Sequence, residues 1–145
     1  MIDFNDSITL SNMVDLFARE AQTLVRYQAF AKIAKLESCP EIATVFDRMA
    51  QNQYQLVGGH LDFLRTVCDP LTGLPLGSTN ENLHAALLAE TEEMDKVYPD
   101  VARTAMEEGF PSVASWSQTL VSTKKNNVER LQKAIDVLRL TQTLG

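Results

Sequence analysis

Six polar side chains fall where apolar helical stripes would otherwise continue: Glu20, Gln53, Glu90, Glu93, Lys124 and Asn127. Glu20 lies between Phe17 and Leu24, Gln53 between Met49 and Leu56, and Glu90 between Leu87 and Met94. Lys124 and Asn127 lie between Leu120 and Leu131. This spacing predicts one polar layer in which three carboxylates, an ammonium and two amides converge. A buried, isolated charge costs several kcal/mol, so these groups must pair, neutralise or bind an ion. Lys124 can bond Glu20, Glu90 or Glu93, and the amides of Gln53 and Asn127 can complete the hydrogen bonds. Three carboxylates against one ammonium leave two negative charges unmatched. The layer therefore requires a protonated carboxyl or one more cation. Carboxylate and amide oxygens would suit a single hard divalent ion, with Glu20, Glu90 and Glu93 as its residual candidates. The charge terms favour a metal-free layer, so no cofactor is expected; iron or one other divalent cation is the alternative. No Ser-His-Asp or Cys-His arrangement and no glycine-rich phosphate loop is present, and no catalytic residue is assigned.

The elements that must hold this layer are helices. Apolar residues recur at steps of three, four or seven through Met13, Phe17, Leu24, Ala31 and Ala34, and through Ile42, Phe46, Met49, Leu56 and Phe63. The same steps run through Leu83, Leu87, Met94, Val97, Val101 and Ala105, and through Val113, Leu120, Leu131, Ala134 and Leu138. These are helical stripes. Ser38-x-x-Glu41 and Ser78-x-x-Glu81 read as capping boxes, and Gly109 before Pro111 reads as a helix end followed by a new first turn. Helices are predicted at about 9–37, 39–67, 79–108 and 111–142. Cys68–Asn80, rich in Pro and Gly, is the one extended loop. Short turns make antiparallel hairpins, and the long middle connection can cross between them. The expected fold is all-α: a single domain over 1–145, an antiparallel four-helix bundle of two hairpins (about 9–67 and 79–142) with a crossover loop at about 68–80.

The hairpins repeat at an offset of 71: Tyr27 with Tyr98, Glu37 with Glu108, Pro40 with Pro111, and Ala43 with Ala114. At this offset Gln53 falls on Lys124 and Leu56 on Asn127. Glu20, however, precedes Tyr27 by seven residues and Glu90 precedes Tyr98 by eight. If both glutamates point inward, the third helix must absorb one residue, which predicts a π-bulge before Pro99.

Bulk properties narrow the function classes. A chain of 145 residues suits one core, and 45% hydrophobic with 22% charged residues argues against disorder. A net charge of −6 and no basic cluster beyond Lys124-Lys125 argue against nucleic-acid binding. Cys39 and Cys68 are too few and too far apart for a Cys-x-x-Cys metal site, and free thiols are expected. The acidic N-terminus has no signal-peptide pattern and no apolar run suits a bilayer, so a cytoplasmic protein without membrane contact is expected.

Several stretches resemble one family: Phe17-Ala-Arg-Glu-Ala-Gln22, Arg26-Tyr27, Phe30-Ala-x-x-Ala34, Glu81-Asn-Leu83, Glu90-x-x-Glu93, Tyr98-Pro99 and Ala105-x-Glu-Glu-Gly-Phe110. Over nearly its whole length the chain resembles the rubrerythrins, ferritin-like di-iron peroxidases. The resemblance implies that Glu20, Glu90 and Glu93 stand at iron-ligand positions, and that Tyr27 and Tyr98 match tyrosines near the metals. It also implies that Gln53 and Lys124 replace the two bridging glutamates, and that Leu56 and Asn127 replace the two histidines. Those replacements argue against the family's peroxidase chemistry. Three functions are expected in order: a metal-free binding or scaffolding module, an oxidative-stress oxidoreductase with an altered one- or two-metal site, and a small-molecule binding protein. The resemblance further implies a homodimer, in some relatives with exchanged helix pairs, and the binding or scaffolding reading adds an unidentified protein partner. His60, one heptad after Gln53, is expected as a satisfied core histidine and His84 as a surface residue. Gly58-Gly59 suggests a close backbone or ligand approach, or a simple bend. Tyr27 and Tyr98 are expected to hydrogen-bond Glu93 or Glu20, and Trp116 to sit at an interface.

Overall fold

The computed structural model describes residues 1–144. It is helical throughout: α1 (Ile8–Leu36), α2 (Pro40–Leu64), α3 (Thr79–Glu92), a π-helical turn (Glu93–Val97), α4 (Tyr98–Glu108) and α5 (Pro111–Leu144). With α3, the π-turn and α4 taken as one bent helix, these are the four expected helices. The contacts divide into two compact units, Met1–Pro70 and Leu71–Gly145. No helix among the described residues is long and apolar enough to cross a membrane.

In the first unit, Ser7 starts α1 by accepting from the Leu10 amide. The α1–α2 hairpin buries Ala31 and Ala34 against a face of α2 that carries Ala43, Ala50, Gln53 and Leu64. Small side chains at these positions let the helices approach closely, so one polar residue among them meets the facing backbone. Phe46 packs edge-on against Phe30 at 5.4 Å and lies 6.3 Å from Tyr27, and the Arg26 guanidinium covers Phe30. The predicted stripe is one position off the face that α1 covers: Ile42, Met49, Leu56 and Phe63 are exposed, next to the buried series 43, 50 and 64. A hairpin buries the row facing its partner helix, and hydrophobicity alone does not separate two adjacent heptad rows.

In the second unit, Ser78 and Glu81 form the expected capping box at the start of α3. The predicted extra residue is absorbed by the π-turn, between Glu90 and Tyr98 and just ahead of Pro99. Ala85, Ala102, Ala105, Ala114, Ser117, Val128 and Ile135 are buried. Val97, Val101 and Val113, expected in the core, are exposed.

The two hairpin turns are built alike. Glu108 closes α4, Gly109 is left-handed (φ 85°), and the Phe110 amide returns to the Ala105 carbonyl at 2.7 Å. In the first hairpin Ser38 takes the same place at φ 60°, and the Cys39 amide returns to Ala34 at 2.8 Å. The expected capping box at Ser38 and Glu41 is therefore absent. Glu37 caps the end of α1 and Ser38 follows it in the left-handed turn, while Cys39 caps α2 without a side-chain bond and Pro40 occupies its first turn. A proline at that position has no amide to satisfy, which removes part of the demand for a cap.

Candidate functional site

Within each hairpin the polar residues bond one another. In the first, Gln53 is buried on α2 and its Nε2 donates to α1. It reaches the Glu20 backbone carbonyl at 3.1 Å and the Glu20 carboxylate as well. One amide thus ties the two helices at the level of Glu20.

In the second hairpin α5 presents Lys124 and, one turn on, Asn127. Lys124 Nζ donates to Glu93 Oε2 at 2.7 Å and to Glu90 Oε1 at 3.0 Å. Asn127 Nδ2 donates to the other Glu90 oxygen at 3.1 Å. The lysine side chain is only 18% exposed, and those of Glu90 and Glu93 are 20% and 26% exposed. Charge pairs this shielded from water are screened less than surface bridges. The hydrogen bond that Lys124 donates to Glu93 raises the lysine pKa above 10.5, helped by the bond to and charge of Glu90 and opposed by desolvation. The ammonium is therefore the stable form at neutral pH.

The remaining predicted residues stand around these clusters. Leu56, aligned with Asn127 by the repeat, is exposed. His60 is half-buried and makes no hydrogen bond among the described residues, so it is not the satisfied core histidine expected. Tyr27 stacks near Phe46, and neither Tyr27 nor Tyr98 hydrogen-bonds Glu20 or Glu93. Gly58 and Gly59 lie in unbroken helix, and a Cβ added at either would meet nothing within 4 Å, so no backbone approaches them. His84, half-buried, holds the Asn80 carbonyl at 2.8 Å. Trp116 is exposed, and Cys39 and Cys68 are free thiols. The sequence reading did not specify the partners found within each hairpin, Gln53 with Glu20 and Lys124 with Glu90 and Glu93. The signal was available in the repeat, which sets Gln53 against Glu20 just as it sets Lys124 against Glu90.

These side chains do not fit a two-iron centre. The first hairpin offers one carboxylate, already held by an amide. The second offers two, with an ammonium within 3.0 Å of both. A dication placed between them would meet a like charge at close range. Among the described residues no group of three or more His, Cys, Asp or Glu side chains is arranged to hold a metal ion.

Comparison with known proteins agrees with the helical reading. A family model described as Rubrerythrin matches residues 12–135. The chain is 38% identical over 113 residues to a rubrerythrin of Porphyromonas gingivalis, covering 75% of this chain and 56% of that protein. It is 32% identical over 133 residues to rubrerythrin-1 of Clostridium acetobutylicum, covering 84% and 67%. It thus spans little more than half the length of the first of these relatives. Among solved structures, nigerythrin in a mixed-valence state gives a TM-score of 0.43 at 23% identity, covering 92% of this chain and 68% of that one.

Proposed function

The chain belongs to the rubrerythrin family, and we propose that it is a member that has lost di-iron peroxidase chemistry and works as a metal-free binding or scaffolding module. One observation carries this reading: the Lys124 ammonium lies 2.7 Å from Glu93 and 3.0 Å from Glu90. Those two glutamates are the only pair of carboxylates that either polar cluster brings together. A tethered cation there supplies the charge balance that a metal would otherwise supply, and it does so without redox chemistry. Met49, Leu56 and Phe63, exposed one heptad apart along α2, support the binding half of the reading, because a continuous apolar row is the kind of surface that another protein covers. A homodimer, with or without exchange of helix pairs across the Cys68–Asn80 connection, belongs to the same proposal. Sedimentation equilibrium checks it, and a monomer across the micromolar range would contradict it.

The decisive experiment is metal analysis of protein purified from iron-replete cells, with peroxide consumption assayed on the same sample. Iron well below one atom per chain and no peroxide turnover above buffer are expected. Stoichiometric iron with a near-ultraviolet oxo-bridge band would overturn the proposal.

A further inference from the structure

The two clusters exclude metal for different reasons. In the first hairpin the ligands are too few, since Glu20 is the one carboxylate and Gln53 holds it. In the second they are not. Glu90 and Glu93 converge on one point, held by bonds of 3.0 and 2.7 Å to a single nitrogen, and Asn127 stands beside them, its Nδ2 donating to the other Glu90 oxygen at 3.1 Å. That nitrogen is the Lys124 ammonium, delivered from α5, the helix that also carries Asn127. We infer that Lys124 is the residue that keeps divalent cations out of the second hairpin, by occupying as a tethered ammonium the point where Glu90, Glu93 and Asn127 would hold one hard divalent ion.

The inference rests on the metal-free reading above and goes beyond it by assigning exclusion to one side chain. Carboxylate and amide oxygens are the donors that hard divalent ions select, and two carboxylates with one amide match a site completed by water. A lysine nitrogen presents three protons to those same oxygens and repels a dication. Occupancy by a removable side chain and shortage of ligands give opposite results on neutral substitution. Removing the charge at position 124 should open the second hairpin. The equivalent change at position 53 should open nothing.

The test titrates MnCl2 into wild type, Lys124→Met, Lys124→Gln and Gln53→Met, read by calorimetry and Mn2+ electron paramagnetic resonance. Circular-dichroism melts are recorded with and without the ion. Lys124→Met should bind about one Mn2+ per chain, at least about tenfold more tightly than wild type, where tenfold is 1.4 kcal/mol. Its melting temperature should rise with Mn2+ while that of wild type does not. Glu93→Gln added to Lys124→Met should abolish the gain, and Gln53→Met should show none. If Lys124→Met does not fold with or without Mn2+, Lys124→Gln decides, because glutamine is native at the equivalent position 53. A folded variant at position 124 that binds Mn2+ no better than wild type overturns the inference while leaving the metal-free reading intact. Stoichiometric metal in wild type overturns that reading instead.

Discussion

The first hairpin ties Glu20 with a neutral amide; the second ties Glu90 and Glu93 with an ammonium and an amide. Both use the same framework. The offset of 71 carries Gln53 onto Lys124 and Leu56 onto Asn127, and ahead of the π-turn an offset of 70 carries Glu20 onto Glu90 and Thr23 onto Glu93. Where the second hairpin gains a carboxylate at Glu93 it also has the cation at Lys124. Where the first has Thr23 it needs only Gln53. Each cluster is left with a single negative charge. The lesson is that a repeated backbone fixes where buried acids lie, while the facing helix sets which donor, a neutral amide or an ammonium, each acid meets, and that second choice decides what chemistry survives.

The strongest challenge to this comparison is to put an acid at each of the two equivalent positions. Lys124→Glu would bring three carboxylates together with no cation, and a broken buried pair costs about 3–5 kcal/mol. Gln53→Glu sets one new carboxylate against Glu20 and should cost about 1–3 kcal/mol, the range for an unsatisfied buried partner. Urea denaturation in chelator-treated buffer measures both. Equal losses at the two positions would mean that the second hairpin does not depend on its ammonium. Added Mn2+ should recover part of the loss in Lys124→Glu, because three carboxylates then surround the vacated point.

Raising the pH removes the same charge without adding an acid, so its effect should be smaller. Folding raises the Lys124 pKa, chiefly through the hydrogen bond from its ammonium to Glu93. A raised pKa contributes stability that is fully present below the ordinary lysine value of 10.5 and is lost as pH climbs through the folded value above it. Thermal melts between about pH 9 and 12 should therefore fall more steeply for wild type than for Lys124→Met, in the range where lysine titrates. Parallel curves would show that Lys124 gains nothing from its carboxylates in the folded state.

Much of this is legible in the sequence alone. Helix type and number follow from periodicity, and the Ser78 cap follows from its capping-box pattern. The π-turn follows from the one-residue mismatch between Glu20–Tyr27 and Glu90–Tyr98, a mismatch that only an internal repeat exposes. What is not legible depends on neighbours. Sequence places Met49 and Ala50 on adjacent heptad rows but does not say which row α1 covers, and the smaller residue is the buried one. The six polar residues are readable as inward-facing, but which of them bond one another within a hairpin depends on which helix each side chain can reach. Gly58 and Gly59 mislead because helix cost suggests a close neighbour, and the helix simply tolerates them.

The smallest expected effect lies in the turns, where the hairpins agree in backbone and differ in residue. Ser38 and Gly109 both adopt left-handed conformations, with φ of 60° and 85°. An L-residue there costs about 1–2 kcal/mol from the clash of Cβ with the following carbonyl oxygen. Glycine avoids that clash but brings a more flexible unfolded chain, worth about 0.4–1 kcal/mol in the opposite direction. Ser38→Gly should therefore stabilise by about 0.5 kcal/mol, the difference between these terms. Gly109→Ala should destabilise by about the same amount or somewhat more, through backbone strain alone. A methyl at Gly109 meets nothing within 4 Å, so no side-chain clash contributes there. Opposite signs at the two sites, read from paired denaturation curves, would establish the turns as one structure with two residue choices. If Ser38→Gly destabilised instead, the serine would have to contribute something glycine cannot replace, and the equivalence of the two turns would end at the backbone.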